Sequence, residues 1–64
     1  MPHYKVLYLD ALGRVVDRFE FQCPSDAEAE LACQDLGDPR PKELWCGSRW
    51  IQAWPAPIMA LRRA

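Results

Sequence analysis

YKVLYLDALGRVVDRFEF, residues Tyr4 to Phe21, reads as two strands folded back on one another. Its flanks are rich in aliphatic, aromatic and β-branched residues, which suit a pleated surface. Between them DALGR supplies the turn. Asp10 in first place and Gly13 in fourth suit a type I turn closed by a glycine at positive φ, the three-residue hairpin with a bulge. Setting Asp10 opposite Arg14 predicts that Leu9 faces Val15, Leu7 faces Asp17 and Lys5 faces Phe19. One face then carries Leu7, Leu9, Val15, Phe19 and Phe21. The other carries Tyr4, Val6, Tyr8 and Val16 beside Arg14, Arg18 and Glu20.

CPSDAEAELACQDLGDP, from Cys23 to Pro39, holds a helix. Ser25 is its expected N-cap, and Glu28 three residues on completes a capping box. Asp26, Glu28 and Glu30 crowd the first turns, where the helix dipole favours negative charge. Gly37 suits the position just past the end, and Pro39 forbids continuation. At helical spacing Ala29, Ala32, Cys33 and Leu36 form one stripe, with Ala27 and Leu31 on the far side.

RPKELWCGSRWIQAW, from Arg40 to Trp54, reads as a second hairpin. Gly47-Ser48 fits a two-residue type II′ turn, glycine first. Cys46 then opposes Arg49, Trp45 opposes Trp50 and Leu44 opposes Ile51. Leu44, Ile51 and Ala53 fall on one face; Trp45, Trp50, Gln52 and Trp54 fall on the other. Pro55 and Pro57 stop the strand and open a short apolar and basic tail.

A right-handed crossover through the helix, with the third strand beside the first, predicts an α+β fold in ββαββ order. The expectation is a single domain over residues 1–54, followed by a Pro-containing tail over 55–64. Its four-stranded antiparallel sheet has the order 2-1-3-4, with the helix on one face. That helix is expected over Leu7, Leu9, Val15, Phe19, Leu44 and Ile51. Tyr4, Tyr8, Trp45, Trp50 and Trp54 are expected on the open face.

A chain of 64 residues with half of them hydrophobic has room for one small core. Net charge is −1, which argues against a general nucleic-acid binder. The charge is uneven: every charged residue from Ser25 to Asp38 is acidic, so the remainder is basic. Such bipolar domains pair with one another or with charged partners. No apolar run approaches the length of a membrane span. The N-terminus shows no secretion pattern, which points to a cytoplasmic protein. Cys23, Cys33 and Cys46 contain no CxxC pair. With His3 they make a Cys3His set on paper, but free thiols are the expectation, with no metal and no cofactor.

YxVxYLDAxGRV near the start, DAEAE on the helix and ELWxGxRxI in the hairpin carry a resemblance to a group of short uncharacterised alphaproteobacterial proteins. It spans Tyr4 to Ile51, most of the chain, and ELWxGxR is its most specific piece. The resemblance implies a ββαβ(β) domain in a bacterial cytoplasm. It implies no activity, ligand or catalytic residue.

Catalysis finds little support. His3 is the sole histidine and sits at a terminus, a poor platform for proton transfer. Asp17 interrupts an apolar face, which a sheet-edge position near Lys5 explains. The expectation is therefore a small non-enzymatic domain that binds a protein partner or forms a homodimer. Its interaction face is built from Tyr4, Tyr8, Arg18, Trp45, Arg49, Trp50 and Trp54. The alternative is single-stranded nucleic-acid binding by base stacking on the same face. A third reading has Ile58, Met59 and Leu61 of the tail covering the same rings.

Overall fold

The computed structural model describes residues 1–55. Its elements run β1 (His3–Leu9), β2 (Val15–Gln22), α1 (Asp26–Gln34), β3 (Lys42–Cys46) and β4 (Arg49–Trp54). The four strands form one antiparallel sheet in the order β2-β1-β3-β4, as the sequence predicts. The tail beyond Pro55, and with it the expected cover by Ile58, Met59 and Leu61, lies outside the described residues.

Both turns take the expected form. In the first, the Gly13 N–H donates to the Asp10 carbonyl at 3.0 Å, the Asp10 N–H donates to the Arg14 carbonyl at 2.9 Å, and Gly13 has φ +80. Asp10 Oδ1 accepts from the N–H groups of Leu12 and Arg14, each at 2.9 Å. The Arg14 amide is the main reason the Asp10 carboxyl stays below its ordinary pKa. In the second, Gly47 has φ +62 while Ser48 has no positive φ, the asymmetry of a type II′ turn.

α1 starts where expected: the Ser25 hydroxyl accepts from the Glu28 N–H at 3.3 Å. Its end comes earlier than the sequence suggests. Asp35 is the C-cap, and its N–H donates to the Leu31 carbonyl at 3.1 Å. Gly37 does not enter the left-handed region, so it is not the helix stop.

The faces of the sheet differ from the expected ones, and two bulges explain part of the difference. In β1–β2 Leu9 pairs with Val15 but Tyr8 pairs with Asp17, so Val16 is an extra residue. From there onward Val6 faces Phe19 and Tyr4 faces Phe21. In β3–β4 Trp45 pairs with Trp50 but Leu44 pairs with Gln52, so Ile51 is extra. A one-residue slip carries every later side chain to the opposite face.

One face therefore holds three rows, read from β2 to β4. They are Phe21–Tyr4–Cys46–Arg49, Phe19–Val6–Leu44–Gln52 and Asp17–Tyr8–Lys42–Trp54. Tyr4, Val6, Tyr8 and Leu44 from these rows form one buried cluster with Ala29 and Cys33 of α1. Phe21, Leu36, Ile51 and Trp54 pack against it. Val6 and Leu44 are fully buried, each a contribution of about 1.5–3 kcal/mol.

The expected core of Leu7, Leu9 and Val15 is corrected on this point. Val15 is exposed and Leu7 and Leu9 are only half-buried, while Tyr4, Val6 and Tyr8 take the core. Tyr4, Val6 and Tyr8 line one face of β1, while His3 and Lys5 share the other with Leu7 and Leu9. The bulge at Val16 gathers Phe19 and Phe21 with Tyr4, Val6 and Tyr8, and the face with more aromatic area is the one buried.

Candidate functional site

The seven residues expected on one interaction face are divided between two. Trp45, Trp50 and Arg18 lie on the outer face; Tyr4, Tyr8, Arg49 and Trp54 lie on the face that holds the core. The outer face has two well-defined rows, Glu20–Lys5–Trp45–Trp50 and Arg18–Leu7–Glu43–Ala53. Trp45 stands directly opposite Trp50, and the Trp45 indole N–H donates to Glu43 Oε1 at 3.0 Å. Trp50 is 52% exposed. An aromatic pair flanked by Lys5 and the half-buried Leu7 thus occupies the centre and one end of the outer face.

The core-side residues are held by polar ties. The Tyr4 hydroxyl donates to Asp26 Oδ1 at 2.6 Å, and Arg49 Nη1 donates to Asp26 Oδ2 at 2.8 Å. β1, β4 and the first residue of α1 meet there. Arg49, then Tyr4, hold the Asp26 carboxyl down at about 2. In return the bond to Asp26, aided by burial, pushes the Tyr4 phenol up to about 12.

A second tie closes the other end of the core. Arg40 forms an ion pair with Asp38 and approaches Asp17 Oδ2 at 3.5 Å, with its guanidinium 4.3 Å from the centre of the Tyr8 ring. Arg40 holds the Asp38 carboxyl at about 2. Asp17, expected near Lys5, is thus placed with Arg40 instead. Lys42 is nearly buried, with its ammonium 5.4 Å from the centre of the Trp54 ring. The sequence carried no signal for this site, because Lys42 meets Trp54 only through the extra residue Ile51.

His3 is exposed and bonded to Glu20 Oε1 at 2.9 Å. The cysteines are free thiols; Cys33 is buried and burial pushes its pKa up. Among the described residues no three His, Cys, Asp or Glu side chains are grouped to hold a metal ion. No helix among them is long and apolar enough to cross a membrane.

One further feature was invisible in the sequence. Phe19 and Phe21 stack at 5.6 Å and, with Ala32, Cys33 and Leu36, line an apolar groove of about 220 Å³ between β2 and α1. Phe19 remains 48% exposed. No family model, no curated protein and no solved structure matches the chain.

Proposed function

We propose that this chain is a non-catalytic protein-interaction domain that presents the outer face of its sheet to another protein. In this reading α1 covers the Tyr4–Val6–Tyr8 face alone, and the opposite face is the working surface. The observation that carries it is Trp50, half exposed and directly opposite Trp45. Tryptophan is among the residues that dominate binding energy at protein interfaces, and Lys5, Arg18 and Glu20 provide a charged rim. A non-enzymatic role is supported by how the perturbed groups are used: Tyr4 and Asp26 tie β1, α1 and β4 together, and Asp38 is engaged by Arg40 within its own loop. The three free thiols and the resemblance support a cytoplasmic setting.

Single-stranded nucleic-acid binding is less well supported. Tyr4 and Tyr8, two of the rings such a platform needs, are buried, and Glu20 and Glu43 share the face with the two Trp rings. The test compares immobilised wild type with a Trp45→Ala, Trp50→Ala variant in an extract of the source cell. A defined protein retained by wild type and released by the variant is expected. Quenching of Trp fluorescence by oligouridylate or oligothymidylate at low salt, with no protein retained, would replace this reading with the nucleic-acid one.

A further inference from the structure

We propose that the free edge of β2 pairs with β2 of a second copy, antiparallel and centred on Phe19, so that two four-stranded sheets join into one. The contact runs along the strand edge and needs neither Trp45 nor Trp50, although Arg18 and Glu20 also border the outer face.

β2 is the longest strand among the described residues, with 8 residues, and among them only β1 flanks it. The direction of its backbone groups is fixed at one end. The Cys23 N–H donates to the Pro2 carbonyl at 3.2 Å, so Cys23 points toward β1. The ladder from Asp17 to Gln22 is continuous, and antiparallel strands alternate. Phe21, Phe19 and Asp17 therefore direct their backbone groups toward β1. Gln22, Glu20 and Arg18 direct theirs outward.

A separate observation agrees. The Arg18 N–H, which has no place in the β1 ladder, is met by Oδ1 of the adjacent Asp17 at 2.8 Å. This is a temporary partner that an incoming strand replaces, and Asp17 keeps Arg40.

A two-fold axis through the strand edge fixes which residues meet. Centred on Phe19, it sets Arg18 opposite the partner's Glu20 and Glu20 opposite the partner's Arg18. Both are outward-pointing residues, so each pair exchanges two backbone hydrogen bonds. Each pair also joins opposite charges on the outer face. The two Phe19 residues meet as a non-hydrogen-bonded pair, the closer kind, at the mouths of the two apolar grooves. Centring on Arg18 sets arginine against arginine, and centring on Glu20 sets glutamate against glutamate. Of the three central registers, the Arg-Phe-Glu order favours the one that pairs opposite charges twice, which makes a second copy of this chain the fitting occupant. The contact is isologous and closes on itself.

The test measures the mass of the full chain by sedimentation equilibrium over a concentration range, alongside amide exchange. Wild type is expected to dimerise, with the Arg18 and Glu20 amides gaining protection as concentration rises. Glu20→Arg and Arg18→Glu should each raise the dissociation constant about tenfold at low salt. The combined Arg18→Glu, Glu20→Arg variant should restore it, because each swapped residue then meets its opposite. Trp50→Ala should leave the dimer unchanged. A wild type that stays monomeric at millimolar concentration overturns the proposal. So does a dimer lost with Trp50→Ala but indifferent to the charge variants, or a combined variant that fails to recover. Exchange in the wild type decides the matter even where a variant folds poorly.

Discussion

The Tyr4 hydroxyl and the Asp26 carboxylate, 22 positions apart in the chain, share a 2.6 Å hydrogen bond that fixes the start of α1 to the middle of the sheet. Arg49 completes the junction from β4. Its consequences for pH follow from the two shifts. Asp26 is held at about 2, below its ordinary 3.8, so its contribution to stability is present above pH about 4 and is lost as pH falls toward 2. Tyr4 is raised from 10.0 to about 12, so its contribution is present below pH 10 and is lost as pH rises through 12. Spectrophotometric titration should show one of the two tyrosines ionising near 12. Asp26→Asn should bring that step down toward 10 and flatten the acid loss of stability between pH 4 and 2. An unchanged tyrosine titration would show that the bond does not govern Tyr4.

The choice of buried face is testable with two neighbours. Val6 is fully buried and Leu7 is half-buried, although leucine is the larger side chain. Val6→Ala should destabilise by about 1–3 kcal/mol, and Leu7→Ala by less. Denaturant midpoints of the two variants give the order directly. A larger loss at Leu7 would return the core to the face that holds Leu7 and Leu9.

Gly47 and Gly37 separate backbone strain from space. A side chain added at either meets nothing within 4 Å, but only Gly47 has a positive φ. Gly47→Val should cost on the order of 1–3 kcal/mol through backbone strain alone. Gly37→Val should cost clearly less. Equal losses in chemical denaturation would remove the turn as the cause.

The thiols should react in a fixed order. Cys33 is buried and its thiol is pushed up in pKa, so the reactive thiolate is scarce and shielded there. Cys23 and Cys46 are half-buried. With a maleimide at pH 7.5, Cys23 and Cys46 should label first and Cys33 only as the chain opens. Peptide mapping over a time course reads this, and early modification of Cys33 would contradict its burial.

The local elements were legible because their chemistry is local. Asp10 and Gly13 define the first turn, Gly47-Ser48 the second and Ser25 the helix start, each through bonds or backbone angles within a few residues. Strand order also followed, since hairpin connections and a right-handed crossover leave few arrangements. The candidate site was legible only in part. Trp45 opposite Trp50 depends on a two-residue turn beside it, so that pair was predictable. Trp54 was not, because Ile51 intervenes as a bulge and turns the end of β4 toward the core.

What the sequence determined by itself, then, is the set of elements, their turns and their order in the sheet. Which side chains of the other strands join the core was decided by tertiary structure. β1 itself separates Tyr4, Val6 and Tyr8 from His3, Lys5, Leu7 and Leu9, but the sides of β2 and β4 that meet it depend on register. The extra residues Val16 and Ile51 shift those strands by one position, collecting Phe19, Phe21 and Trp54 with Tyr4, Val6, Tyr8 and Leu44. A bulge carries no distinct residue signature in either strand. It forms where one extra residue lets two strands bring their largest apolar side chains to the same side, and that gain exists only once the sheet and the helix meet.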